Sequence, residues 1–234
     1  MSVPFLSRRA VFLDRDGVIN RMVYDPELGL VDSPQNADQF HLLPGVVDAI
    51  RSINEVGFLA VVVSNQPGIA KGKCTFAILE AVSEKMHRQL FDGGARLDAV
   101  YYCLHHPEAL LEDYRINCDC RKPKPGLLQK AATELGIHLA ASYMIGDGLT
   151  DVLAGKAAGC TSIFLGNLKC DICALMDERG ARPDFQARDL PEAVDLICRD
   201  LAAENASTTS AAFSNKRNCL IKEEMCNVSF PRHR

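Results

Sequence analysis

The sequence predicts an α/β fold with a central, mainly parallel sheet and helices on both faces. Three observations carry this. Short continuous apolar runs recur between Ala10 and Leu165, the mark of strands buried on both faces. Stretches with apolar residues at helical spacing separate them, so strands and helices alternate. Residues able to do chemistry stand where the apolar runs end, the side on which open α/β sheets bind ligands.

Composition sets the bounds. The chain has 234 residues, 47% hydrophobic and 24% charged, which suits one α/β domain with an insertion or a tail. A net charge of -4 makes no general case for nucleic-acid binding. No stretch approaches the roughly 20 apolar residues of a membrane span. Val3 to Leu6, before Arg8 and Arg9, is too short for a signal-peptide core. A cytoplasmic enzyme or binding protein is expected, with no membrane partner. The ten cysteines then read as thiols or metal ligands, not as a disulfide framework.

The first strand is Ala10 to Leu13, and it ends in Asp14-Arg15-Asp16-Gly17. Side chains two apart on a strand point the same way, so two carboxylates stand together where Gly17 turns the backbone away. Taken alone, Asp-x-Asp-Gly is also an ordinary acidic loop. Residues 21–43 lack clear periodicity and read as a loop over this tip. Pro44-Gly45 opens a helix with Val46, Ala49, Ile50 and Ile53 on one stripe, closed by Gly57. Phe58 to Val63 is the second strand, ending in Ser64-Asn65-Gln66-Pro67-Gly68, whose hydroxyl and amides can donate to a phosphate or form a plain turn. Residues 75–91 form an amphipathic helix with Leu79, Val82, Met86 and Leu90 facing the core. Leu97 to Tyr102 is the third strand.

The next segment carries metal chemistry. Cys103-Leu104-His105 and Cys118-Asp119-Cys120 are two close pairs separated by residues 106–117. Three thiolates and one imidazole satisfy tetrahedral zinc, and with four protein ligands the metal is structural. His106 is a rival ligand. Arg121-Lys122-Pro123 follows Cys120 directly, so the metal loop can hold two cations still for an anion. Pro125 starts a helix through Leu127, Leu128, Ala131 and Leu135, ended by Gly136. Ser142 to Ile145 is a strand ending in Gly146-Asp147-Gly148-Leu149-Thr150-Asp151, a second acidic tip. Thr150 is placed to cap a helix to Ala158, and Thr161 to Leu165 is another strand. Asp184-Phe185 reads as a weak edge strand before a helix from Pro191 to about Ala203. Cys170 and Cys173 lack a partner pair and read as free thiols. The domain is expected over 1–203, with 204–234 a mostly disordered tail that allows a short helix at Leu220 to Met225.

Strand tips bearing paired carboxylates, a hydroxyl with amides, a cation and another carboxylate imply phosphoryl transfer. A carboxylate attacking an anionic phosphate needs a divalent cation against repulsion, and hard carboxylates suit Mg²⁺. The arrangement resembles the haloacid dehalogenase superfamily of phosphatases over residues 10 to about 200. Cys103-Leu-His105, Cys118-Asp-Cys120, Arg121-Lys122-Pro123 and the tract Asn65 to Gly72 are similar to the D,D-heptose 1,7-bisphosphate phosphatase family. Histidinol-phosphate phosphatases share the plan, typically with a shorter loop between the ligand pairs. The resemblance implies a Rossmann-like three-layer sandwich with no large cap domain, because the insertions between motifs are short. It implies removal of the 7-phosphate from a heptose bisphosphate, a small phosphorylated sugar, by an enzyme expected to be a monomer. It makes Asp14 the nucleophile and a Mg²⁺ ligand, and Asp16 the general acid/base giving its backbone carbonyl to the metal. Asp147 becomes another metal ligand, Ser64 and Lys122 the phosphoryl holders with Asn65 and Gln66 beside them, and Arg121 the group that recognises the distal substrate. Two departures are Gly148, where these enzymes often have Lys, and Leu104, where they often have Pro. A zinc-stabilised binding module without turnover would need a damaged site, and Asp14, Asp16, Lys122 and Asp147 are all present.

Overall fold

The computed structural model describes residues 8–25, 29–166 and 175–209. Its centre is β1 (Ala10–Leu13), whose four side chains are fully buried. Val11 and Leu13 face one layer and Ala10 and Phe12 the other, the period of two expected of a strand. Around it lie β4 (Leu59–Asn65), β5 (Ala99–Cys103), β6 (Tyr143–Gly146), β7 (Thr161–Leu165) and β8 (Phe185–Ala187). The sheet order is β5-β4-β1-β6-β7-β8 and every neighbouring pair is parallel. The chain leaves β1 toward β4 and β5, then crosses to β6 on the other side. This reversal opens a crevice at the carboxyl end of β1.

The helices form the outer layers. On one face, Val46, Ile50 and Ile53 of α1 (Val46–Glu55) and Val82, Met86 and Leu90 of α2 (Phe76–Asp92) cover the sheet. Ala193, Val194 and Ile197 of α5 (Leu190–Thr209) complete that layer. On the other face, Leu127, Leu128 and Ala131 of α3 (Gly126–Leu135) and Ala154 of α4 (Leu149–Ala158) pack on Ala10, Phe12, Val61, Val63 and Met144. The result is the expected three-layer sandwich. Among the described residues no helix is long and apolar enough to cross a membrane.

Three local expectations are corrected. The loop expected over 21–43 contains an antiparallel ribbon, β2 (Val23–Asp25) paired with β3 (Leu30–Asp32). Its strands are three residues each and leave Tyr24, Leu30 and Val31 exposed, so no buried face marks them as strands. The α4 cap is not made by Thr150. The Asp151 carboxylate reaches back to accept from the Gly148 N–H at 3.0 Å, because the third residue of a helix faces its own start. Helix α5 outruns its expected end at Ala203. The pair Cys170 and Cys173, the tail beyond Thr209 and the short helix at Leu220 to Met225 lie outside the described residues.

The Cys-bearing loop is seated on α3 at Gly126, whose N–H donates to the Asp119 carbonyl at 3.1 Å. A Cβ on Gly126 would meet that carbonyl oxygen at 2.3 Å, and a backbone oxygen cannot swing aside. Gly126→Ala should therefore destabilise the fold by about 1–3 kcal/mol, the usual cost of overpacking. Thermal melting checks this. A melting temperature equal to that of wild type would show that the loop is not seated there.

Candidate active site

The crevice gathers three strand tips and one loop. Asp14 and Asp16 follow β1, Ser64 and Asn65 end β4, and Asp147 follows Gly146 at the end of β6. The β4–β5 register sets Asn65 opposite Cys103, and the Gln66 N–H donates to the Cys103 carbonyl at 2.8 Å. The loop that begins at Cys103 is thus anchored beside the tip of β4, and it returns Arg121 and Lys122 to the crevice.

Lys122 is the hub. Its side chain is buried, and Nζ lies 3.0 Å from Asp14 Oδ1, 2.6 Å from Asp151 Oδ1 and 2.9 Å from the Val63 carbonyl. Burial alone would lower its pKa, but the Asp14 and Asp151 carboxylates outweigh it and raise it. Asp14 is half-buried, and its Oδ1 also accepts from the Arg15 N–H at 2.7 Å. Asn65 brackets the Lys122 backbone: Oδ1 accepts from its N–H and Nδ2 donates to its carbonyl, both at 3.1 Å.

One carboxylate oxygen from each of Asp14, Asp147 and Asp151 lies within 4.8 Å of the other two. Asp147 sits at the open rim. Desolvation by the surrounding protein, then the Asp151 and Asp14 carboxylates, raise it to about 7. Burial raises Asp151 as well, against the pull of Lys122. Close approach of Asp147 to the β1 tip depends on Gly17, which has φ 81° and whose added Cβ would fall 2.0 Å from Asp147 Oδ2. The sequence places Asp151 in the second acidic tip but gives it no role in the site. The available signal was its spacing, four residues after Asp147 and one helical turn into α4.

Asp16 points elsewhere. It is buried in a bracket of donors: Arg15 Nη2 at 3.1 and 3.0 Å, Asn20 Nδ2 at 2.9 Å, Ser33 Oγ at 2.8 Å and Gln66 Nε2 at 2.7 Å. Burial pushes its pKa up, but the Arg15 guanidinium and these hydrogen bonds win and hold it below the usual carboxylate range. Gln66 also accepts from Arg15 Nη2 at 2.9 Å and donates to Ser64 Oγ at 3.1 Å, so it joins the tips of β1 and β4. Arg15 is wholly buried, a charged group that sequence reading left without a role.

The metal-type cluster is compact. Cys118 and Cys120 Sγ are 3.1 Å apart, Cys103 lies 3.6 and 3.3 Å from them, and His105 Nδ1 is 3.4 Å from Cys120. A tetrahedron with zinc–sulfur bonds of about 2.3 Å has edges of about 3.8 Å, so four donors at these separations could hold one such ion. His106 stands outside the group: its Nδ1 accepts from the Glu108 N–H at 3.1 Å, which shapes the turn. Arg121 Nη1 donates to the His105 carbonyl at 3.4 Å, and among the described residues it has no carboxylate partner.

Comparison with known proteins agrees with this geometry. A family model described as "HAD-hyrolase-like" matches residues 119–193. The chain is 48% identical over 149 residues to the D-glycero-beta-D-manno-heptose-1,7-bisphosphate 7-phosphatase of Escherichia coli (strain K12), covering 64% of this chain and 74% of that protein. The crystal structure of D,D-heptose 1,7-bisphosphate phosphatase from B. bronchiseptica, complexed with magnesium and phosphate, superposes with a TM-score of 0.67. It is 29% identical, over 82% of this chain and 99% of that one. The enzyme of the same description from Burkholderia thailandensis gives a TM-score of 0.55 at 28% identity, over 81% and 99%. With a parallel sheet of this order, a lysine-centred carboxylate site and these relatives, the chain belongs to the heptose-bisphosphate phosphatase family of haloacid dehalogenase-like hydrolases.

Proposed function

We propose that this phosphatase removes the 7-phosphate of D-glycero-D-manno-heptose 1,7-bisphosphate through a phosphoryl group carried on Asp14. The sugar comes from the relatives. What carries the chemistry is Lys122, a buried ammonium 3.0 Å from Asp14 at the meeting point of the strand tips. An Asp14 oxygen attacks phosphorus, the bond from phosphorus to the sugar oxygen breaks, and Asp16 gives that oxygen a proton. Asp16 then takes a proton from a water whose oxygen attacks the phosphorus, which releases phosphate and restores Asp14. As found, Asp16 is ionised against Arg15, so its acid role calls for release from that bracket. Ser64 and Lys122 hold the phosphoryl oxygens. Arg121, which has no carboxylate partner among the described residues, receives the distal end of the substrate.

Two metals suit the donors present. Asp14, Asp147 and Asp151 are hard oxygen donors, three carboxylates facing one ammonium, with Asp147 raised first by desolvation and then by the other two carboxylates. Asp14, Asp147 and the Asp16 backbone carbonyl are assigned to Mg²⁺. When bound, it offsets charge on the phosphate oxygens. Cys103, His105, Cys118 and Cys120 are assigned to one structural Zn²⁺, which leaves no open position for water.

Replacing the nucleophile tests the chemistry: Asp14→Asn should abolish phosphate release and leave the melting curve cooperative. Near-wild-type release would remove Asp14 from the role. Zinc is tested by metal analysis. Cys118→Ser or Cys120→Ser should lower zinc content and activity together, with no rescue by added Mg²⁺, since a hard cation does not replace zinc at thiolates. Active wild-type protein free of zinc would contradict the assignment.

The metal site also has a pH signature. Protons compete with Mg²⁺ for Asp147, whose pKa is about 7, so the carboxylate is free above that pH and blocked below it. Half-maximal activation at pH 6 should need about tenfold more Mg²⁺ than at pH 8, the ratio set by one such proton. An activation constant that stays flat across this range would exclude Asp147 as the competing group.

A further inference from the structure

Lys122 must be placed by something more than the loop that carries it. Its side chain has four rotatable bonds, and its ammonium meets three partners on three different segments: Val63 on β4, Asp14 after β1 and Asp151 on α4. An ammonium can keep three such partners only while its own Cα is fixed. The fixing contact is Asn65. Its amide pairs with both the N–H and the carbonyl of Lys122, each at 3.1 Å, across 57 residues of chain. Asn65 itself sits in regular strand, paired with Cys103 across the sheet. Strand β4 therefore grips Lys122 at three atoms, two through Asn65 and one through the Val63 carbonyl.

We propose that Asn65 is a positioning residue, which fixes the Lys122 backbone and so sets where the ammonium meets the transferring phosphoryl group, without itself contacting the phosphate. The inference rests on Lys122 being the phosphoryl holder. It changes the expected part of Asn65 from a substrate contact to a brace between β4 and the metal loop. It also separates two supports of Lys122: the cysteine cluster orders the loop, and Asn65 sets its final register against the sheet. Each amide atom keeps one further bonding capacity, so only energetic coupling tells the brace from a direct phosphate contact.

A double-mutant cycle reads that coupling. Asn65→Ala, Lys122→Met and the double variant are compared with wild type by kcat/KM on heptose 1,7-bisphosphate and on p-nitrophenyl phosphate, with zinc content and melting temperature recorded for each. A small displacement of a catalytic group costs about 100-fold, so Asn65→Ala should lose about 10- to 100-fold while keeping its zinc. In the Lys122→Met background the same change should cost nothing further. If Asn65→Ala does not fold, Asn65→Asp replaces it in the cycle, since it keeps the acceptor for the Lys122 N–H and sets an anion against the carbonyl. Additive losses would overturn the inference, because they would mean that Asn65 acts on the substrate by itself. So would an Asn65 variant with wild-type kcat/KM. A Lys122→Met protein with full activity would sink the assignment of Lys122, and the brace with it.

Discussion

The site depends on one buried ion cluster. Lys122 stands between Asp14 and Asp151 with its side chain almost wholly out of water, and its ammonium donates to the Val63 carbonyl. Removing one partner from such a cluster costs about 3–5 kcal/mol, because it leaves a buried charge uncompensated. That cost ties the elements together. β1 supplies Asp14, α4 supplies Asp151, β4 supplies the carbonyl, and the loop after β5 supplies the lysine. The sheet order brings these four segments to one edge because the chain reverses direction beside β1.

A second buried pair, Arg15 with Asp16, lies next to the first along the same strand tip. The two pairs differ in charge balance. Arg15 and Asp16 neutralise each other and are completed by neutral donors from Asn20, Ser33 and Gln66. Lys122 faces an excess of carboxylate, since Asp147 joins Asp14 and Asp151 in the same group. That excess is the reason the proposed Mg²⁺, and the phosphate with it, are assigned to this group. Gln66 connects the two by bonding Asp16, Arg15 and Ser64 at once.

Much of this was legible in the sequence, because strands buried on both faces announce themselves as unbroken apolar runs. Ala10–Leu13 and Tyr143–Gly146 are of that kind, and their tips point to Asp14 and Asp147. Cys103, His105, Cys118 and Cys120 were readable from ligand types and spacing alone. The ribbon at Val23–Asp25 and Leu30–Asp32 was not, since it buries no face and its pairing is made by backbone atoms. Asp151 was legible as part of the second acidic tip but not as a partner of Lys122, because only the first turn of α4 brings its carboxylate back to the ammonium. The bracket around Asp16 was hidden too: Arg15 in the sequence is one more charged residue, and only burial shows that it must have a partner.

If Asp14 is the nucleophile, as proposed, the phosphoryl group passes through the protein on that residue. Rapid acid quench of the enzyme turning over substrate labelled in the 7-phosphate, followed by peptide mapping, tests it most directly. Acid-trapped label should appear on the single peptide that contains Asp14, and faster than free phosphate. Steady release of phosphate with no label on the protein at any quench time would contradict it.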